Sequence, residues 1–385
     1  AEILLLISPI LRSDNFGSQL NLIILLFFII INFKKHQNFS LIVLSSPLII
    51  YFISTQKLQL FFGILFLLSF IIIHNDFLKK KGEIFIFILL LTFYSSGKIS
   101  YILFAAPLFI YFFYKNLRNT KYIISYSIIS FLIVYSPLLI LKQNYFGNVA
   151  APFLDDIFGR GLESYKALVY SLRITEGWIA DPANYSLYLR PFISLNLSTL
   201  STSLGLIFLF MLIDYNSLKK TKFLPWILIS LVLATGQILP RYYFEAFLLL
   251  AYFFHPKKLF MKLIIYSQVT IIFLISLIYI YIAYIKYDVY KDKNRYMNNF
   301  SYSFFNSKQY KQINFEGNIL DLSLHRHSIF FDKNIYSKRY ISILNIFNNK
   351  NEQNLKQFIQ KNSIKYLVLD SPDSLPNCLI TEEIG

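Results

Sequence analysis

Lys98 and Arg241 each stand alone in a short break between two apolar stretches, at Ser95-Ser96-Gly97-Lys98 and at Leu239-Pro240-Arg241. A lone cation at the tip of an apolar helix hairpin can hold an anionic group by charge-assisted hydrogen bonds, or it can simply reach for the water interface. Glu245 is the only acidic residue well inside an internal apolar run. It follows Arg241 by four residues, so on one helix the two share a face and can pair. An ionisable group in such a setting is costly, and reads either as a site or relay or as a structural ion pair. Asp155 and Asp156 form a carboxylate pair beside Pro152-Phe153. Such a pair can bind a divalent metal ion or deprotonate a hydroxyl, or it can be plainly solvated. His325 and His327 would face one way on a strand, but no further ligand lies nearby in sequence, which favours surface histidines over a metal site. With Cys378 as the only cysteine, no intrachain disulfide and no cysteine metal cluster can form.

The elements that must carry these residues are apolar helices. Of 385 residues, 56% are hydrophobic and only 15% charged, with a mean hydropathy of +0.51. A soluble domain usually carries about a quarter charged residues. The 40 Phe and 29 Tyr, with abundant Ile, Asn and Lys, also fit an AT-rich genome, so clustering is a better guide than bulk composition. Uncharged apolar runs cover about 20–33, 39–54, 58–73, 84–96, 100–114, 122–141, 192–213, 223–238, 242–254 and 259–285. This succession predicts an all-α polytopic membrane bundle of about ten full transmembrane helices plus one partial helix over residues 3–11. As single helices, 84–114 and 223–254 would each be about 45 Å long. They are therefore predicted to be hairpins turning at Gly97 and Pro240.

The net charge of +16 is arranged by connection. Lys34 and Lys35, then Lys79 to Lys81, then Lys115, Arg118 and Lys121, then Lys219, Lys220 and Lys222, then Lys257, Lys258 and Lys262 fill alternate connections. The short connections between them hold Lys57, Lys98 and Arg241 singly. That alternation follows the positive-inside rule. It puts Lys57, Lys98, Arg241, a long loop 142–190 and the C-terminal tail on the exoplasmic side. The charge is then a topology signal, and no nucleic-acid partner is expected. The loop's Tyr145, Phe146, Phe153, Trp178 and Tyr188 suggest amphipathic segments lying on the membrane.

The expected domains are 1–287, the membrane bundle, and 288–385, a small extramembrane α/β unit. The tail carries 13 Lys or Arg and 10 Asp or Glu, ordinary soluble proportions. Asn318 to Leu324 and Ser328 to Phe331 read as strands, Leu355, Phe358 and Ile359 as one helical face, and Ile364 to Leu369 as a further strand. There is no Gly-rich phosphate loop, so nucleotide binding is unsupported. The chain opens at Ala1 inside an apolar run, which reads as a fragment cut within a helix that runs outward to Asp14.

Four segments carry a resemblance. Leu91-Thr92-Phe93-Tyr94-Ser95-Ser96-Gly97-Lys98-Ile99-Ser100, continuing to Ala106-Pro107-Leu108, resembles a recurring segment of GT-C fold glycosyltransferases, in which an apolar helix ends in a Thr-Lys or Gly-Lys turn. Ser136-Pro137-Leu138 with Gln143 to Asn148 and Pro152-Phe153 is similar to that family's "RNY…GNPFYPF" helix exit. Gln143 stands in place of the usual Arg, and Val149-Ala150 interrupts the pattern. Gln237 to Leu250 resembles the "QxRYLLPALPLL" helix, with Glu245 where proline is common. Ile364 to Asp370 resembles the "gvkYvlvd" strand of many bacterial members.

The resemblance is to the polyprenyl-phosphate-sugar-dependent mannosyltransferase and aminoarabinose-transferase-like superfamily. It implies a bacterial inner-membrane enzyme that moves a sugar from a polyprenyl-phosphate carrier to an exoplasmic glycan, lipid or protein acceptor. It further implies a catalytic Asp or Glu in the first exoplasmic loop. That loop is expected upstream of Ala1, with Asp14 as the candidate if the loop is truncated here. On this reading Lys98 and Arg241 bind the donor phosphate. The acceptor lies beneath loop 142–190, where Asp155 and Asp156 are acceptor or metal candidates. A general-base role for Glu245 would depart from the family. No cofactor is expected beyond a divalent metal ion. The rival readings are a transporter or flippase of lipid-linked sugars, and an O-antigen polymerase or ligase, which would leave the α/β tail unexplained.

Overall fold

A computed structural model describes residues 16–32, 37–54, 58–78, 80–146, 149, 189, 191–193, 203–234, 239–286, 317–321, 335–337 and 352–368. The described chain is mostly helical, with thirteen α-helices. They are α1 (Phe16–Asn32), α2 (Gln37–Leu44), α3 (Pro47–Ser54), α4 (Gln59–His74), α5 (Lys81–Ser96), α6 (Ile99–Lys115), α7 (Thr120–Phe146), α8 (Ile207–Ile213), α9 (Tyr215–Lys220), α10 (Leu224–Ala234), α11 (Phe244–Phe253), α12 (Leu259–Ile280) and α13 (Glu352–Lys361). Three strands, β1 (Asn318–Asp321), β2 (Ile335–Ser337) and β3 (Ile364–Val368), and short 3-10 and π-helical turns are also described. One compact unit is drawn from within 1–139 and 177–275, and a second from within 140–176 and 276–385.

In the larger unit α11 is the hub. All ten of its residues are buried, as suits a helix apolar on every side, and it packs on α2, α4, α8, α9 and α10. Gly63 allows the close approach of α4, since a Cβ there would lie 3.0 Å from both Leu248 and Phe244. Asn21 ties three elements together at 0% exposure. Its Nδ2 donates to the Phe52 carbonyl at 2.9 Å, and its Oδ1 accepts the Phe61 N–H at 3.1 Å, one of the unpaired donors at the start of α4. The outer helices expose large apolar side chains, including Ile23, Phe27 and Ile30 on α1, Ile128 and Leu132 on α7, and Phe260 on α12.

The turns predicted at Gly97 and near Pro240 are present: α5 ends at Ser96 and α6 starts at Ile99, while a 3-10 turn, Pro240–Tyr242, precedes α11. Helix lengths differ from the expected ten crossings. Among the described residues two helical stretches, Leu117–Asn144 and Leu259–Ile278, are long and apolar enough to cross a membrane. The run 39–54 is broken into α2 and α3 at Ser45-Ser46-Pro47, because Pro47 has no N–H to continue the ladder. The Leu48 N–H at this break donates instead to the Ser203 carbonyl at 3.0 Å. Of the run 192–213, α8 covers only the last seven residues, and 194–202 lie outside the described residues.

Among the described residues, Lys81, Lys115, Lys220 and Lys222 gather at one end of the larger unit. Lys81 Nζ donates to the Tyr122 hydroxyl at 2.6 Å, and Lys115 Nζ to the Ile73 carbonyl at 3.0 Å and Asp76 Oδ1 at 2.7 Å. His74 lies near Lys115, Lys222, Asp76 and Lys220, and its ring is 5.2 Å from that of Phe253 at the end of α11. Tyr252 donates to Asn32 Oδ1 at 3.3 Å, which brings the end of α1 to the same place. Lys98 and Arg241 lie at the opposite ends of α5, α6 and α11.

The second unit holds a three-stranded parallel sheet in the order β2-β1-β3. Ile319 pairs with Ile335 on one side and with Tyr366 on the other. Helix α13 packs on β3. β1 and β3 fall where the sequence predicts strands, the strand predicted at 328–331 lies outside the described residues, and β2 is a strand the sequence reading did not predict.

Candidate functional site

The site is built from two breaks that meet. At the first, the Gly97 N–H donates to the Tyr94 carbonyl at 3.1 Å and the Tyr101 N–H to the Lys98 carbonyl at 2.9 Å, closing α5 and opening α6. Gly97 is required here by space, since a Cβ would stand 2.7 Å from the Phe62 ring. Either side of the turn, Tyr94 and Tyr101 stack with centroids 4.8 Å apart, and Phe62 lies 5.5 Å from Tyr101. Lys98, in extended backbone at φ −164°, is thereby held at the rim of an aromatic cluster.

At the second break, Pro240 opens the 3-10 turn, where its missing N–H costs nothing. The Tyr242 N–H donates to the Leu239 carbonyl at 3.0 Å and the Ala246 N–H to the Tyr243 carbonyl at 3.1 Å. This turn delivers Arg241 and Tyr242 together. Arg241 Nη2 donates to the Tyr242 hydroxyl at 3.1 Å, and Arg241 Cζ sits 5.0 Å from the Tyr242 ring centroid. Lys98 Nζ lies 4.7 Å from the same centroid. Two cations 143 positions apart in sequence thus converge on one tyrosine ring. Each such contact contributes about 0.5–2 kcal/mol, while the two like charges repel each other. An anion bound between them would turn that repulsion into attraction.

Glu245 lies one layer inward, 2% exposed. Its pairing is not the predicted one. Helix α11 begins only at Phe244, so Arg241 and Glu245 do not share a helix face, and no ion pair joins them among the described residues. Glu245 Oε1 instead accepts the Tyr94 hydroxyl at 3.1 Å, and the cation whose charge reaches it is Lys98. A buried carboxylate needs such partners. The bond ties α11 to the α5–α6 hairpin, so Glu245 fixes the distance between the break carrying Lys98 and the break carrying Arg241.

Tyr94, Tyr101 and Tyr242 belong to the candidate site and were not named as site residues from the sequence. Tyr94 and Tyr101 flank the Lys98 turn at helical spacing, but nothing separates them from the other tyrosines until the hairpin closes. Asp14, Asp155, Asp156, His325 and His327 lie outside the described residues. Among the described residues no three His, Cys, Asp or Glu come together as a metal site. No family model, no curated protein and no solved structure matches this chain.

Proposed function

We propose that the chain is a multi-spanning membrane glycosyltransferase of GT-C type, which transfers a sugar from a polyprenyl-phosphate donor to an exoplasmic acceptor. The observation that carries the reading is the convergence of Lys98 and Arg241 on Tyr242 at the end away from the lysine clusters. A lipid phosphate is an anion tethered at the membrane surface, and this cluster offers an ammonium, a guanidinium and a phenol at that level. In the reaction the bond from the anomeric carbon to the phosphate oxygen breaks as the acceptor oxygen attacks. A carboxylate takes the acceptor proton, with Asp14 or the pair Asp155–Asp156 as this chain's candidates, and the two cations stabilise the departing phosphate.

The ten-crossing topology belongs to the same proposal. It is supported by the apolar faces of the outer helices and by the segregation of cations to opposite ends. Helices α10 and α11 are short, but α11 is enclosed by protein, where backbone need not reach the lipid headgroups. The carrier would be met in the plane of a bacterial inner membrane, with the α/β tail on the periplasmic side.

A second reading, a transporter of lipid-linked sugars, is favoured by the broken helix at Ser45-Ser46-Pro47, since interrupted helices mark transporter sites. It places the ligand at that break rather than at Lys98. Binding of radiolabelled undecaprenyl phosphate to the purified protein in detergent separates the two. The K98A/R241A double variant is expected to bind at least tenfold more weakly than the wild type. Equal binding by both proteins would overturn the assignment.

A further inference from the structure

Glu245 is the second residue of α11, where free backbone N–H groups and the helix dipole favour negative charge. The Tyr94 hydroxyl of α5 donates to its Oε1, and Lys98, in the hairpin turn, acts on it through its charge. Tyr101 of α6 stacks on Tyr94 and stands close enough for the carboxylate's charge to reach its hydroxyl. Tyr243, just before α11, stacks on Phe208 instead. Of the helices packed around α11, α2, α8 and α10 carry no titratable side chain. His74 of α4 stands by the Phe253 ring at the far end of α11, and α9 is joined to the Phe253 carbonyl by the Ser217 hydroxyl. Glu245 is thus a buried acid whose one cationic neighbour, among the described residues, is the lysine that shares Tyr242 with Arg241.

With Glu245 ionised, Lys98, Arg241 and Glu245 together carry one net positive charge. The two phosphates of the proposed reaction differ by one charge. The sugar donor is a phosphodiester and carries one negative charge. The polyprenyl phosphate left behind is a monoester, whose second ionisation falls at about pH 6, so it carries nearly two charges in neutral solution.

We propose that Glu245 sets the charge selectivity of this site: ionised, it matches the Lys98–Arg241 pair to the singly charged phosphodiester, and the doubly charged monoester is held only as Glu245 takes up a proton from the solvent. This rests on the donor reading above. The proton adds to a carboxylate oxygen and no other bond changes. Because a tyrosine hydroxyl accepts as well as donates, the acid's O–H can take over the bond to Tyr94, and the hairpin stays tied to α11. A second negative charge on the phosphate therefore meets a penalty that the donor does not, which favours exchange of spent carrier for fresh donor.

The test compares two ligands with the same tail, undecaprenyl phosphate and undecaprenyl methyl phosphate, at about pH 8, where the first is doubly and the second singly charged. Removing the charge of Glu245 strengthens attraction in proportion to the ligand's charge. Glu245→Gln is expected to tighten monoester binding at least threefold more than diester binding. Equal changes for the two ligands, or no change, would overturn the inference while the cation site stands. If wild type binds both ligands no better than Arg241→Ala does, the donor reading falls and the inference with it. A second measurement needs no variant: calorimetric titration of wild type in buffers of different ionisation enthalpy. Monoester binding should take up protons, approaching one per phosphate, and diester binding none. No uptake with the monoester, or the same uptake with both ligands, would overturn the proposal.

Discussion

If the chain is the proposed transferase, replacing Arg241 by Ala is expected to lower sugar transfer from a polyprenyl-phosphate donor by about 10²–10³-fold, the effect of removing one preorganised group that stabilises developing charge. Arg241 lies in a 3-10 turn at the rim, outside the buried helix α11, so the variant is expected to fold. Arg241→Lys restores only part of the activity, since an ammonium keeps the charge and loses the planar fork that meets two phosphate oxygens. The check is a transfer assay on purified variants with matched elution profiles. Full activity in Arg241→Ala would remove the guanidinium from the mechanism.

Glu245 gives a prediction in which two effects have opposite signs. Removing a negative charge near Lys98 should by itself favour a bound phosphate. Removing the acceptor of the Tyr94 hydroxyl should loosen the hairpin that holds Lys98 in place. Glu245→Gln keeps an oxygen for Tyr94 and loses the charge, so undecaprenyl phosphate binds at least as tightly as to wild type. Glu245→Leu leaves the Tyr94 hydroxyl buried without its acceptor, a cost of about 1–3 kcal/mol. Its Tm drops, and phosphate binding falls about tenfold or more. Tyr94→Phe in the Glu245→Leu background recovers much of the lost Tm, because the two sites are coupled through one hydrogen bond. A loss of phosphate binding in the Gln variant equal to that in the Leu variant would contradict the positioning role.

The hairpin breaks were legible in the sequence because Gly97 and Pro240 act locally, through space and a missing donor. Charge placement was legible for the same reason: it depends on which connection holds the lysines, not on contacts. Hydropathy alone did not reveal the break at Ser45-Ser46-Pro47, since the run stays apolar through it and the Leu48 N–H finds its acceptor at Ser203, far along the chain. Glu245 stood out as an acid in an apolar run. Its partner did not, because the four-residue spacing from Arg241 assumes one continuous helix and the actual donor, Tyr94, lies 151 positions away. The meeting of Lys98 and Arg241 on Tyr242 is likewise tertiary, produced by the packing of the hairpin near α11.

Everything proposed for the site requires that Lys98 face the compartment opposite the lysine-rich end. Cysteine labelling tests this most directly, once Cys378, the only native cysteine, is replaced by Ser. In intact cells a membrane-impermeant maleimide should label Lys98→Cys from outside, and should label Lys219→Cys only after the membrane is permeabilised. Labelling of both positions from the same side would contradict the topology and, with it, the donor site.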